Sequence, residues 1–106
     1  MPHYLFRASY STQGIQGVMR EGPTARVKAI ETLATSAGGK LLAAYWAFGD
    51  DDFVMILELP DNAAAMSISA HVAAAGVASV TTTVLLTAAE AEAAMNRSVT
   101  YRVPGA

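Results

Sequence analysis

The sequence predicts a single α+β domain in which strands and helices follow one another in the order βαββαβ. Apolar residues, most of them aromatic, recur at every second position of residues 3–10, which is typical of a strand. Apolar residues recur every three or four positions in residues 23–37, which is typical of an amphipathic helix. Two apolar runs flank the acidic turn, residues 49–52, and this pattern indicates a hairpin.

Start and stop signals separate the elements of the first half of the chain. Ser11 can cap a short helix after the first strand. Gly22 then interrupts this short helix. Pro23 suits the first position of the main helix, because its missing N–H costs no hydrogen bond there. Gly38 and Gly39 supply the left-handed end of that helix.

The hairpin is predicted to join two strands, residues 40–48 and 52–59. With a two-residue turn at its tip, Trp46 pairs with Met55. Because this places the indole in the middle of the sheet, we expect it to be buried.

The second half of the chain continues with a helix, a strand and a further short helix. Asp61 can cap a helix over residues 62–75, and a fourth strand is expected over residues 77–87. Thr87 can then cap a short helix that ends at Met95.

This order of elements is the split βαβ arrangement of ferredoxin-like folds. Right-handed crossovers give a four-stranded antiparallel sheet with both main helices on one face. Because the helices are rich in alanine, a close-packed core needs bulky sheet residues beneath them. These are expected to be Trp46, Phe48, Phe53, Met55 and Leu57. The uncovered face is expected to carry Leu41, Val54 and Ile56, with Ala43 and Ala47 between them.

The chain is expected to form one domain over residues 1–106, with a core that ends at about residue 95. Residues 96–106 are predicted to be a tail. Within it, residues 99–103 have the alternation of an extended segment and can form an edge strand.

Composition excludes several classes of function. The net charge is −2, and the chain lacks the basic patch that nucleic-acid binding needs. It contains no cysteine, so it has no disulfide or thiolate. Arg7 comes too early for the apolar core of a signal peptide, and no apolar run reaches the length of a membrane span. We therefore expect a cytoplasmic protein with no membrane and no nucleic-acid partner.

No residue pattern supports a metal or a cofactor. Asp50, Asp51 and Asp52 are consecutive, so they cannot all point at one ion, and a hydrated turn is the better interpretation. His3 and His71 are the two histidines, and they lack the spacing of paired metal ligands. We expect no bound metal and no cofactor.

Several segments resemble the GYD-domain family over roughly residues 1–95. They are residues 10–15, Pro23 with Arg26, and residues 39–41, 45–46, 49–54 and 58–61. Gly49 and Asp52 match the Gly-Tyr-Asp turn that names the family, while Asp51 stands where the family has tyrosine. The family is similar to the dimeric α/β-barrel superfamily, in which two ferredoxin-like sheets pack face to face. The resemblance therefore implies a homodimer through the sheet, and it implies fold rather than activity.

Five residues are candidates for ligand binding. Tyr45, Glu58 and Arg7 bring polar groups to otherwise apolar strands, so any ligand cavity is expected at their edge. Arg7 and Glu58 can instead form an ion pair, because the first and third strands are neighbours. His71, on the rim of the apolar face of its helix, and Asp52 are the other two, and the candidates for a general base are His71, Asp52, Glu58 and Tyr45.

These residues leave two functions open. The first is a small-molecule-binding or sensing homodimer of the dimeric α/β-barrel type. The alternative is a cofactor-free or haem-linked oxygenase or isomerase, which the superfamily resemblance permits, with His71 as base or haem ligand. Because general bases are few, the sequence favours binding, and it identifies no catalytic residue.

Overall fold

The computed structural model describes all 106 residues of the chain. The strands are β1 His3–Tyr10, β2 Lys40–Trp46, β3 Phe53–Glu58 and β4 Ala78–Leu85. The helices are α1 Thr12–Glu21, α2 Pro23–Ser36, α3 Asn62–Ala75 and α4 Ala88–Met95. The strands form one antiparallel sheet in the order β2-β3-β1-β4. This is the split βαβ topology that the sequence predicts.

Local sequence signals set most of the element ends. β1 and α3 begin and end at the residues predicted from the sequence. Ser11 caps α1, Asp61 caps α3 and Thr87 caps α4, each by accepting a hydrogen bond from a backbone N–H three residues further on. The predicted polar caps are therefore confirmed.

The two faces of the sheet differ in cover. The helix face carries the buried strand residues, which pack against Ile30 and Ala34 of α2 and Ala65 and Ile68 of α3. These strand residues are Tyr4, Phe6, Ala8, Phe53, Met55 and Leu57. No helix of the chain covers the opposite face, which we call the open face. The open face is formed by His3, Leu5, Arg7, Ser9, Lys40, Ala43, Tyr45, Val54, Ile56, Glu58, Ser79, Thr81, Thr83 and Leu85.

The hairpin has a longer loop than predicted. The N–H of Ala47 donates to the carbonyl of Asp52, which closes a loop instead of a two-residue turn. Trp46 consequently pairs with Phe53, not with Met55. Phe48, predicted to lie beneath the helices, belongs to this loop and is fully exposed.

A β-bulge in β2 changes which face its first residues occupy. Leu41 pairs with Leu57 and Ala43 pairs with Ile56, so Leu42 is an extra residue in the strand. An extra residue reverses the alternation of side chains on either side of it. Leu41, predicted on the open face, therefore packs against the core instead. Ala43 lies on the open face as predicted.

Trp46 lies on the helix face, as predicted, but its predicted burial is wrong. Its side chain is 37% exposed because β2 is an edge strand and the hairpin loop starts immediately after it. The indole stacks on Phe53, with ring centroids 4.4 Å apart, and more loosely on Tyr10 at 6.1 Å. Trp46 therefore covers the end of the core and remains in contact with solvent.

The chain after β4 projects from the body of the domain. We call α4 and the residues that follow it the C-terminal arm, residues 88–106. No residue of α4 is buried, and residues 99–103 form no strand, so the predicted edge strand is absent from the protomer. The Cα radius of gyration is 16.8 Å, whereas a compact chain of this length is expected near about 13 Å. The difference reflects the extended position of the arm.

Candidate functional site

A cavity lies between the helix face of the sheet, α2 and α3. Its volume is about 270 Å³. Ala8, Ala75 and Ala78 are part of its wall, and such small side chains leave space that larger ones would fill. The alanines of the wall, one each from β1, α3 and β4, therefore leave a cavity here, rather than the tighter packing expected from the sequence.

The cavity is apolar apart from two side chains. Arg26, in the first turns of α2, and His71, on α3, are the polar residues among those that line it. Tyr10, at the end of β1, adds a phenol ring to the wall. A mostly apolar cavity with a few polar groups is the usual form of a small-molecule site.

A second concavity, which we call the polar cleft, adjoins this cavity. It lies against α1 and the start of α2, and its volume is about 510 Å³. Arg20, Glu21 and Gln13 are among its polar lining residues, and Tyr10 and Arg26 line both spaces. The two residues therefore stand at the boundary between an apolar and a polar compartment.

The charges at this boundary are close to one another. The Nη1 atom of Arg26 lies 3.6 Å from Oε1 of Glu21. The Nε atom of Arg26 is buried and has no hydrogen-bond partner. Burial raises the pKa of the Tyr10 phenol, the positive charge of Arg26 opposes this, and Glu21 and Asp52 add to the rise. Tyr10 is therefore a neutral phenol at ordinary pH.

His71 contributes one ring nitrogen that the protein does not use. Its Nδ1 lies 2.7 Å from the carbonyl oxygen of Ser67, one helical turn earlier. Because a carbonyl oxygen only accepts, Nδ1 carries the hydrogen of that bond, and Nε2 has no partner within the chain. The residue is exposed at the rim, so this nitrogen can meet either a ligand or water.

Three of the residues predicted from the sequence lie on the open face, away from this cavity. Glu58 is near Lys40 Nζ at 3.7 Å, and near His3 Nε2 and the N-terminal amine at 3.8 Å each. Arg7 lies opposite Val54, so it does not form the ion pair with Glu58 that the sequence suggests. Tyr45 is 70% exposed on the edge strand beside them.

Asp52 holds the hairpin loop to the end of β1. Its carboxylate accepts a hydrogen bond from the N–H of Tyr10 at 2.8 Å, and its own N–H donates to the carbonyl of Ala8 at 2.8 Å. These bonds give Asp52 a positioning role in the fold. No group of three or more His, Cys, Asp or Glu side chains is arranged to hold a metal ion.

His71 is among the site residues predicted from the sequence, whereas Arg26 is not. Its position contained a usable signal, because Arg26, Ile30 and Leu33 are spaced as one face of a helix. All three line the cavity. A charged residue on the same helix face as apolar residues is expected to face the core or a binding site. Charged residues without such a role lie mostly on the side of the helix that faces solvent.

The fold and the cavity define a ferredoxin-like α+β protein with a concave, mostly apolar space beneath its helices. The GYD domain family matches residues 4–95, and the chain belongs to this family. Searches of curated proteins and of solved structures gave no significant match. None of the helices combines the length and apolar character needed to cross a bilayer.

Proposed function

We propose that the protein is a small-molecule-binding homodimer whose ligand occupies the cavity between the sheet, α2 and α3. The observation that carries this proposal is the cavity itself, which is apolar apart from Arg26 and His71. Its volume of about 270 Å³ is near the lower end of the range for ligand pockets. A cytoplasmic location, expected from the sequence, is part of this proposal.

The enzymatic alternative is less well supported by the same geometry. A general base acts best in a site that excludes water, whereas His71 is exposed. A haem group is also much larger than a cavity of about 270 Å³, since pockets for drug-sized ligands already reach about 300–1,000 Å³. A cavity of this volume therefore does not enclose a haem, and binding without chemistry is the preferred function.

Titration with small apolar probes tests the cavity. We expect toluene and 1-octanol to shift the amide NMR signals of the residues that line it, and to leave the open face unchanged. Ala75→Leu should weaken this binding about tenfold or more, because Ala75 lines the cavity and a larger side chain fills it. Ala74→Leu is the matched control, because Ala74 is exposed like Ala75 but does not line the cavity.

Two results would contradict this location. Equal effects of the Ala75→Leu and Ala74→Leu substitutions would show that the probes bind elsewhere. Shifts concentrated around Tyr45, Glu58 and Arg7 would favour the site predicted from the sequence.

The homodimer is supported by the chemistry of the open face. Leu5, Val54 and Ile56 form an apolar row across its two central strands, where no helix covers them. A second copy presents the same row, so a two-fold axis gives a self-complementary contact. Association would remove this apolar surface from water.

The C-terminal arm supplies further apolar surface for the same association. Met95, Val99, Tyr101 and Val103 are all more than half exposed in the protomer. Four strands about 4.8 Å apart, each about seven residues long, cover a flat area of roughly 450 Å². Stable interfaces bury about 800 Å² per partner. The sheet therefore gains from a second contribution, and the arm is well suited to reach across to the other copy.

Light scattering coupled to size exclusion tests the dimer. We expect twice the chain mass of 11.0 kDa for the wild type. Ile56→Asp should return the mass to that of one chain, because it places a charge in the apolar row. Met19→Asp is the control, because Met19 is 77% exposed on α1, away from the sheet. A wild-type monomer at tens of micromolar would refute the dimer.

A further inference from the structure

Arg26 stands where the apolar cavity meets the polar cleft. It lines both spaces together with Tyr10 and Val77, so the two concavities are adjacent. One elongated ligand can occupy the cavity with one end and the cleft with the other. Such a ligand lies next to Arg26, at the boundary between the two compartments.

The guanidinium of Arg26 has hydrogen-bond donors to spare. An arginine carries five N–H donors, and Glu21 is the one acidic partner within ion-pair distance of this one. Glu21 lies near Nη1, whereas the buried Nε has no partner at all. The Arg26 side chain is 32% exposed, so the terminal N–H donors that Glu21 leaves free are the ones that can reach the oxygen acceptors of a ligand.

We infer that the ligand is an amphipathic anion, with its apolar body in the cavity and its anionic oxygens at Arg26. This inference rests on the proposed function of the cavity. The cleft beyond Arg26 also carries Arg20, so its two arginines outnumber its one acid, Glu21. A cavity of about 270 Å³ has the volume of roughly nine water molecules in the liquid, at about 30 Å³ each. A chain of about eight carbons with a terminal carboxylate matches this size and charge.

Three probes with the same eight-carbon chain test the inference by calorimetry and NMR. They are octanoate, 1-octanol and octylamine, which are anionic, neutral and cationic. We expect octanoate to bind about tenfold or more tightly than 1-octanol, because its anionic oxygens accept hydrogen bonds from the Arg26 guanidinium, whereas the hydroxyl of 1-octanol is a neutral acceptor. Octylamine should bind most weakly, because its charge opposes that of Arg26.

Variants of Arg26 connect this preference to the residue. Arg26→Met keeps an unbranched apolar stem and removes the charge and the N–H donors, so octanoate should then bind no better than 1-octanol. Arg26→Lys should retain part of the preference. Lys28→Met, an exposed site on the same helix, should leave all three affinities unchanged.

The outcomes separate this inference from the proposed function. Equal binding of octanoate and 1-octanol, or an anion preference that survives Arg26→Met, overturns the inference and leaves a cavity that binds neutral molecules. Failure of all three probes to bind overturns the proposed function and the inference with it.

Discussion

Two glycines of α1, three residues apart, are expected to respond in opposite ways to the same substitution. A Cβ atom on Gly14 would lie 2.1 Å from the carbonyl oxygen of Val77 and 3.1 Å from Cδ1 of Tyr10. That carbonyl also accepts a hydrogen bond from the N–H of Ser11 at 2.9 Å. The nearest atom to a Cβ on Gly17 would be a terminal nitrogen of Arg20 at 3.8 Å, an ordinary contact.

The expected magnitudes follow from these distances. Gly14→Ala should force α1 away from Val77, at a cost of about 1–3 kcal/mol for overpacking and about 1 kcal/mol for a weakened hydrogen bond. Alanine regains up to about 1 kcal/mol of helix propensity, so the net loss of unfolding free energy is about 1–3 kcal/mol. Gly17→Ala meets no obstacle, so it should stabilise the protein by about 0.5–1 kcal/mol.

Urea denaturation at one fixed protein concentration measures both effects, with the fluorescence of the single tryptophan as the signal. A Gly14→Ala variant as stable as the Gly17→Ala variant would show that α1 is not held against Val77. The close approach would then have no role in fixing the position of the helix.

Three further predictions concern single side chains. Trp46→Ala should cost about 2–3 kcal/mol, less than a fully buried aromatic residue, because Trp46 is 37% exposed. Acrylamide should quench its fluorescence partly, and complete protection would contradict the structure. Asp52→Ala should cost about 1–3 kcal/mol by leaving the N–H of Tyr10 without its acceptor, whereas Asp50→Ala should change stability by less than about 0.5 kcal/mol. Burial raises the pKa of Tyr4 above 10.0 in the folded state, and the charge of a nearby aspartate adds to this. The contribution of the neutral Tyr4 phenol to stability is therefore complete below about pH 10 and is lost as the pH rises further. The urea midpoint of the Tyr4→Phe variant should therefore fall less at alkaline pH than the midpoint of the wild type.

The elements that the sequence predicts best are those with local signals. The alternation in residues 3–10 and the cap at Asp61 act over a few neighbouring residues, and both β1 and α3 begin and end where they were predicted. The order of the strands follows from that element order together with general rules of chain connection. The family resemblance gave the same fold.

The hairpin was predicted less well because its register depends on contacts distant in sequence. Asp52 bonds to the backbone of β1, and the extra residue Leu42 reverses the alternation within β2. The local sequence pattern shows neither feature, so Phe48, a loop residue, is predicted in a strand and Leu41 is predicted on the wrong face. The cavity was not predicted for a related reason. A void forms where side chains distant in sequence leave space between them, and the local pattern does not show this.

The exposed position of the C-terminal arm has a consequence for the stability of its helix. Its helix, α4, has eight residues and a capping box between Thr87 and Glu90, but it has no buried residue. Isolated helices shorter than about 12–15 residues are only marginally stable in water, so the cap alone does little to keep α4 helical. In the proposed homodimer, contacts from a second copy would stabilise the helical state of the arm. Ordering of the arm and association of the chains would become one coupled equilibrium, in which dilution unwinds α4 while the sheet stays folded.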